Sequence, residues 1–372
     1  MKPIVYIDPQ SYKNLSIYDY SLLSNIEGDI HYLCSANYDY LPLPSHVRQH
    51  KIFRYNDKKN NRLKAISYLC SYAQIFFLLL WWRPQAIHLQ WMRIPNFDVV
   101  LLKIVKWMTR CRIVFTAHNV LPHRESAKHV VGYGRMYNLA DAIIVHTHAT
   151  KRELISAFSH AKDKVSVIAH GMLQLKYDPS LLKQNEKQFE THYQLKGNFV
   201  FAALGFQYHY KGSDLLAEVW ATTPELRNNK HCKLLIVGKN RGVDLSVANG
   251  IENVIVEDRV TSDEEFFYLL THTDVYLLPY RKISQSGVLL TAISVGTPFL
   301  VTDVGGLAEP LDIAQVGWKM EHLSVDALRH QLLWLLHHPK QVAFAKSNED
   351  GWNLLRKHYD WQKIGQLTQK LY

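Results

Sequence analysis

The stretch Tyr280–Glu309, YRKISQSGVLLTAISVGTPFLVTDVGGLAE, decides the reading of the chain. A strand ending at Leu278 runs into the short loop Ser284-Gln285-Ser286-Gly287, which opens the apolar helix Val288–Val295. Gly296-Thr297-Pro298 closes that helix, Phe299–Val301 makes a second buried strand, and Gly305-Gly306 turns the chain toward Glu309. Strand, helix and strand in that order form a βαβ unit of a parallel sheet. A helix start presents unpaired N–H groups and a partial positive charge, so the loop is a natural seat for phosphate. An ordinary βαβ unit with capped ends would read the same way.

Outward from this unit the same alternation runs through the chain. Strand-like runs precede it at Ile4–Ile7, Ile30–Cys34, Lys51–Arg54, Ala86–Gln90, Ile113–Thr116, Ala142–Val145 and Val165–Ile168, with helices such as Ile17–Ile26 and Thr150–Phe158 between them. A polar, pattern-poor segment, Lys176–Lys196, follows. Strands resume at Phe199–Leu204, Lys233–Val237, Asn253–Val256 and Val275–Leu278, and Val325 to Tyr372 is helical. The expected fold class is α/β, with two Rossmann-like doubly wound domains facing across a cleft. The expected limits are 1–175, 176–355, and a C-terminal helix 356–372 that crosses back to the first domain. In such sheets ligands bind beyond the carboxyl ends of the strands.

A chain of 372 residues suits two domains, and 47% hydrophobic with 20% charged residues excludes extensive disorder. Cys34, Cys70, Cys111 and Cys232 are far apart without a CxxC pair, which argues against a disulfide framework or a zinc site. Met1-Lys2-Pro3 leads straight into a strand, so a cytoplasmic location is expected. Residues 1–172 carry 22 Lys and Arg against 11 Asp and Glu, a net +11; the whole chain is +10, which leaves −1 for residues 173–372. All of the excess charge therefore lies in the first half, where it suits an anionic membrane, nucleic acid or simple solubility. No basic run there is interleaved with stacking aromatics, so no nucleic-acid partner is expected. Ala65–Trp82 holds no charged residue, but its continuous apolar run is only Ile75–Trp82, and a buried or interfacial helix is expected. Leu101–Arg112 reads as a helix mixing Lys103, Lys106, Arg110 and Arg112 with Val105, Trp107 and Met108, which suits anionic headgroups.

Two further clusters fall at strand ends. Thr116 leads into Ala117-His118-Asn119-Val120-Leu121-Pro122-His123, where a histidine could act as acid or base, hydrogen-bond a sugar, or serve only the structure. Leu204 leads into Gly205-Phe206-Gln207-Tyr208-His209-Tyr210-Lys211-Gly212, which sets a cation just before the helix Ser213–Ala221. That cation suits a diphosphate, and an ordinary surface lysine fits the spacing equally well.

Taken together these clusters resemble the large retaining glycosyltransferase family 4 of the GT-B fold, over nearly the whole chain. TAHNVLPH (Thr116–His123) is similar to a run seen in many bacterial members, and VIAHG (Val167–Gly171) resembles the signature that closes the first domain. ALGFQYHYKGSDLL (Ala203–Leu216) resembles the segment that holds the donor diphosphate, and GTPFLVTDVGGLAE (Gly296–Glu309) the run after the donor-binding helix. There are departures. Two family glutamates, the second of which commonly holds the ribose, align near Ile283 and at Thr291; the family arginine after Gly205 is Phe206; and Asp8–Asn14 replaces a glycine-rich loop.

The resemblance implies transfer of a sugar from a nucleotide diphosphate sugar with retention at the anomeric carbon. It implies His118 and Lys211 as catalytic residues. Gly205, Phe206, Lys211, Gln285, Ser286, Gly287, Val288, Thr291 and Glu309 would bind the donor, and Asn14, Asn119 and His123 the acceptor. Thr291 would meet the ribose in place of the glutamate. No cofactor is implied, and no metal, since no Asp-x-Asp motif occurs. The basic first domain then suits a glycan or polyprenyl-diphosphate-linked acceptor at the inner face of the membrane, in capsule, exopolysaccharide or lipopolysaccharide assembly. A non-catalytic nucleotide-sugar-binding protein with a degenerate GT-B fold would explain the missing glutamates.

Overall fold

A computed structural model describes residues 2–121, 127–173 and 175–372, and divides the chain into two units. Unit 1 is Met1–Gly171 with Tyr359–Tyr372, and unit 2 is Met172–His358.

Unit 1 carries strands β1 (Ile4–Asp8), β2 (Ile30–Ser35), β3 (Val47–Phe53), β4 (Ala86–Leu89), β5 (Arg112–Thr116), β6 (Ala142–Val145) and β7 (Val165–Val167). All pair in parallel, in the order β3-β2-β1-β4-β5-β6-β7. Helices α1 (Asn14–Leu23), α2 (Asn61–Trp82), α3 (Pro95–Thr109), α4 (Ala127–Leu139) and α5 (His148–Ala157) connect them. Strands β1, β2, β4 and β6 are buried at every position, because helices cover both faces of a parallel sheet. On one face Tyr72, Ile75 and Leu79 of α2 and Val99, Leu102 and Val105 of α3 pack on Val5, Leu89, Ile113 and Ile143.

Unit 2 holds α6 (Pro179–Tyr193), β8 (Phe199–Leu204), α7 (Ser213–Thr222), α8 (Pro224–Arg227), β9 (Cys232–Val237), β10 (Val254–Glu257), α9 (Asp263–Thr271), β11 (Val275–Leu278), α10 (Gly287–Val295), β12 (Phe299–Thr302) and β13 (Gly317–Met320). Helices α11 (Val325–His337), α12 (Pro339–Ser347) and α13 (Glu349–His358) follow. Its sheet order, β10-β9-β8-β11-β12-β13, reverses direction between β8 and β11. The loops after β8 and β11 are thus neighbours at a topological switch point, where open α/β sheets bind ligands.

The last helix, α14 (Trp361–Gln369), belongs to unit 1, as sequence suggests for the end of the chain. Asp360 caps it by accepting from the Gln362 and Lys363 N–H groups. Two glycines admit it: a Cβ on Gly365 would lie 2.0 Å from Asn25 O, and one on Gly171 would lie 2.2 Å from the Trp361 ring. Ile364 joins the core beside Tyr18 and Leu22.

Several expectations need correction. The pattern-poor segment Lys176–Lys196 contains α6, an amphipathic helix capped by Asp178, whose many charges hide its pattern. Strand β13 went unread because Gly317-Trp318-Lys319-Met320 has little strand composition, yet it pairs along β12. The helix read as Leu101–Arg112 runs from Pro95 to Thr109; Arg110 ends it in the left-handed conformation and Arg112 starts β5. Of the two placements expected for Ala65–Trp82, buried or interfacial, full burial does not hold: α2 is one continuous helix of 22 residues that buries Tyr68, Ser71, Tyr72, Ile75 and Leu79 on one side, with only 28% of its apolar length covered. It is the one helix among the described residues long and apolar enough to cross a membrane.

Asp8, at the end of β1, and Asp19, on α1, are both buried. Burial raises the Asp8 carboxyl well above its ordinary range and Asp19 to about 6, while Asp19 accepts hydroxyls from Tyr6 at 2.7 Å and Tyr32 at 2.6 Å. The pair keeps a proton that an unfolded chain releases near pH 4, so its contribution to stability declines as pH rises from about 4 through 6. Asp8→Asn, which retains a neutral group, is expected not to destabilise the protein at pH 8. Asp19→Asn, which strips two buried hydroxyls of a charged acceptor, is expected to cost about 1–3 kcal/mol. Denaturant unfolding of the two variants checks this, and equal losses would refute it.

Candidate functional site

In unit 2 the two switch-point loops are stapled together. Arg281, just after β11, donates to both carboxylate oxygens of Asp214 at 2.8 and 2.6 Å, and its backbone N–H donates to Tyr210 O at 2.7 Å. Bidentate guanidinium–carboxylate pairs are strong and fix orientation. Three glycines allow the backbones to close up. A Cβ on Gly212 would lie 2.1 Å from Pro279 O, one on Gly238 would lie 1.8 Å from Gly205 O, and one on Gly305 would lie 1.8 Å from Ile283 O. Gly305 and Gly212 also have positive φ, 56° and 74°. Gly306 N–H donates to Ser284 O at 3.0 Å, so the Gly-Gly turn forms the floor of the Ser284–Gly287 loop.

These contacts place Lys211 beside the start of α10. A Cβ built on Gly205 would stand 4.0 Å from Lys211 Nζ and 3.5 Å from Val288 Cγ1, so these three residues surround one spot. Lys211 Nζ lies 5.6 Å from the centre of the Tyr280 ring, and burial lowers its ammonium to about 8 with no carboxylate offsetting that among the described residues. Ser286 is the N-cap of α10, but its side chain caps no N–H; its hydroxyl lies 3.4 Å from that of Tyr280. A half-buried cation and a helix N-terminus thus converge where an anion can bind both. Gln285, Gly287 and Val288 lie partly exposed at this spot.

Other expected donor residues fit less directly. Thr291 is buried and its hydroxyl donates to Gly287 O at 3.2 Å, so it offers no free donor to a ribose. Phe206 is 38% exposed and carries the Arg241 guanidinium over its ring at 5.3 Å. Arg241 N–H donates to Gln207 O at 2.8 Å, which brings a cation from the β9 loop to the position where the family has arginine. Sequence reasoning missed Arg241, Arg281 and Tyr280, whose closeness follows from strand order and not from spacing. Glu309 begins a short turn of helix after the Gly-Gly floor, partly exposed.

In unit 1, four histidines gather at the carboxyl ends of β4 to β7. His146 Nδ1 lies 2.9 Å from Ile168 O, which only accepts, so Nδ1 carries the proton and Nε2 is a lone pair. His118 Nδ1, 3.2 Å from that lone pair, is therefore the donor, and His118 Nε2 is bare. The Gln90 carboxamide lies 2.9 Å from His118 Nε2 and 2.9 Å from His88 Nε2, and these tautomers require its NH₂ to face the former and its oxygen the latter. His88 Nε2–H then donates, and its Nδ1 accepts from the Tyr372 hydroxyl at 2.7 Å. One neutral tautomer set satisfies every link.

Burial holds these rings neutral: His88 and His146 fall to about 3, His170 to about 4, and His118 well below its ordinary value. His118 stacks on Trp91 at 4.6 Å, with its Nδ1 held by His146 and its Nε2 by Gln90. Asn119 follows it half-buried, Asn14 begins α1, and His123 lies outside the described residues. Among the described residues no three His, Cys, Asp or Glu side chains could jointly hold a metal ion.

A pair of doubly wound parallel sheets, one with an anion site at its switch point, defines the GT-B class of fold. Solved structures agree. The chain is similar to sucrose-phosphate synthase from Thermosynechococcus elongatus, with TM-score 0.72, 17% identity, and 100% of this chain and 98% of that one covered. It is similar also to Anabaena Alr3699/HepE, solved with UDP and glucose, with TM-score 0.68, 14% identity, and 100% and 99% covered. Family models match in tandem: Glycosyltransferase Family 4 over residues 28–172 and Glycosyl transferases group 1 over residues 198–338. The chain belongs to this family of glycosyltransferases. A curated relative, the uncharacterized glycosyltransferase MJ1607 of Methanocaldococcus jannaschii, is 26% identical over 263 residues, 66% of this chain and 63% of that protein. The matches span about half to two thirds of the length of the curated relatives.

Gly305→Ala is expected to displace the Ile283–Ser286 loop, because both its φ and the Ile283 carbonyl exclude a methyl group. Calorimetric titration with UDP should show binding weakened by at least about a hundredfold, an order-of-magnitude figure for losing several preorganised N–H contacts. Unchanged affinity would refute the floor role.

Proposed function

We propose that the protein transfers a sugar from a nucleoside diphosphate sugar, with retention at the anomeric carbon, to a lipid-linked glycan acceptor. The observation that carries this is the half-buried, partly desolvated Lys211 ammonium beside the N-terminus of α10, with no carboxylate to offset it among the described residues. Breaking the bond from the sugar carbon to the diphosphate leaves charge on the phosphate oxygens, and a preorganised cation with N–H groups stabilises it. Lys211 and the Ser286, Gly287 and Val288 amides take that role, Gln285 and Glu309 line the donor, and no metal is invoked. The Anabaena neighbour was solved with UDP, which supports a uridine nucleotide as the first donor to try. His118 is assigned to a sugar hydroxyl near the reacting carbon, and Asn14, Asn119 and His123 to the acceptor.

The acceptor reading rests on charge: the net +11 of residues 1–172 suits a polyprenyl-diphosphate-linked glycan at the inner face of the cytoplasmic membrane. Capsule, exopolysaccharide or lipopolysaccharide assembly is the corresponding setting, and no nucleic acid is involved. A second reading, a nucleotide-sugar-binding protein without turnover, draws on the absence of carboxylates at Ile283 and Thr291.

A thermal-shift screen of nucleotide sugars followed by a transfer assay separates the two. Donor binding without transfer to any lipid-linked glycan favours the second reading. Lys211→Ala is expected to lower transfer on the order of a hundredfold or more; an unaltered rate sinks the mechanism. Since the free lysine titrates near 8 and a bound diphosphate demands its charged form, UDP affinity should fall roughly tenfold between pH 7 and pH 9. In Lys211→Met that slope should vanish, and its persistence would place the titration elsewhere.

A further inference from the structure

We propose that the outer faces of α2 and α3 form a docking surface for an anionic lipid bilayer, with α2 lying along the membrane and not across it. This gives the membrane location proposed above a specific surface. It lies outside the transfer machinery, so each can fail without the other.

The two helices pack side by side on one face of the sheet of unit 1, with Tyr72 and Phe97 in ring contact at 5.9 Å. Their opposite faces are turned away from the sheet and are apolar at helical spacing. Leu63, Ile66, Phe77 and Trp81 are exposed on α2, and Ile104 and Trp107 on α3. Both tryptophans are 81% exposed and Phe77 is 69% exposed, which is costly in water and favourable at a lipid interface. Scattered apolar residues on a surface are ordinary, but a stripe along 22 residues of helix is not.

Charge selects the occupant. From Asn60 to Arg112 the sequence holds eight Lys and Arg and a single acid, Asp98, which is buried. Lys103 and Arg110 stand exposed beside Trp107. A second copy of this chain would bring the same basic face against itself, since a two-fold interface is self-complementary only if its charges alternate. Anionic headgroups meet basic residues favourably and accept the aromatic stripe between them. The core fixes the angle of α2. Its inner side buries Tyr68, Ser71, Tyr72, Ile75 and Leu79, with Ser71 donating to Ile52 O at 3.1 Å and Tyr68 to Asp98 at 3.1 Å. A helix tied to the protein along its length exposes one side to lipid and cannot cross.

Co-sedimentation of the full chain with vesicles tests this. Binding to phosphatidylcholine vesicles containing phosphatidylglycerol, and not to phosphatidylcholine alone, is expected. Lys103→Gln and Arg110→Gln should each lower partitioning about fivefold, and Trp81→Ser with Trp107→Ser should abolish it. Lys187→Gln, an exposed change on α6, should leave it unaltered. All of these side chains are exposed, so unfolding midpoints without vesicles should match the parent protein, and the two charge variants keep the test open should the tryptophan variant fail to fold. Failure to bind anionic vesicles, or binding indifferent to these changes, overturns the proposal. So does a change of oligomeric state in the tryptophan variant without vesicle binding by the parent, which would assign the face to a second copy. A protein that transfers sugar but ignores vesicles loses only the docking surface, and one that binds vesicles without transfer loses only the transfer reading.

Discussion

Lys211 stands half-buried beside the start of α10 without a counter-ion among the described residues, and unit 2 is arranged to tolerate it. Two positive ends, an ammonium and a helix N-terminus, repel and would drift apart on flexible loops. Arg281 prevents this by fastening the loop after β11 to the loop after β8 through Asp214 and Tyr210 O. The glycines at 212, 238 and 305 then let three backbones approach more closely than any side chain would permit. The fall of the Lys211 ammonium to about 8 measures the desolvation that this arrangement imposes. An arriving diphosphate relieves it, so part of the binding energy is already present in the empty protein as unsatisfied positive potential.

Unit 1 solves the opposite problem. Its strand ends hold neutral groups, and order comes from hydrogen-bond direction in place of charge. Ile168 O, an obligate acceptor, sets the tautomer of His146, and that sets His118, Gln90 and His88 in turn. The Tyr372 hydroxyl completes the chain by donating to His88 Nδ1. The end of the chain therefore adds more than packing to unit 1, since it supplies the last partner of this hydrogen-bonded series. Asp8 and Asp19 follow the same economy: burial keeps a proton between them, and two tyrosine hydroxyls satisfy the remaining lone pairs.

Much of this was legible in the sequence because parallel sheets announce themselves as apolar runs separated by helical periods. The Ser286-Gly287 loop, Lys211 and His118 all lie just past such runs, where ligands bind. What could not be read follows from pairing across the sheet. Arg241 reaches Phe206 only because β9 lies beside β8, and Arg281 reaches Asp214 only because β11 lies on the other side of β8. Strand β13 and helix α6 were hidden for a different reason: tertiary pairing and a capped amphipathic face override weak local composition. Exposure was the least legible property of all. The charge-free run of α2 reads equally as a buried or an interfacial helix, and only the packing of Tyr72, Ile75 and Leu79 shows that the other side of the helix is left open.

The missing carboxylates at Ile283 and Thr291 change meaning in this light. A carboxylate at either position would sit near a helix start and a half-buried lysine, and would neutralise part of the potential that a diphosphate needs. In their place the Ile283 carbonyl rests against Gly305, and the Thr291 hydroxyl bonds back to Gly287 O, so both positions serve the shape of the loop. The Arg241 guanidinium over the Phe206 ring adds positive charge to the same rim from a neighbouring strand. The site has thus shifted toward holding phosphate by backbone and cation. Around it Tyr208, Tyr210 and Tyr280 form an aromatic series that begins at Phe206, Tyr208 stacking on Tyr210 and Tyr210 edging against Tyr280.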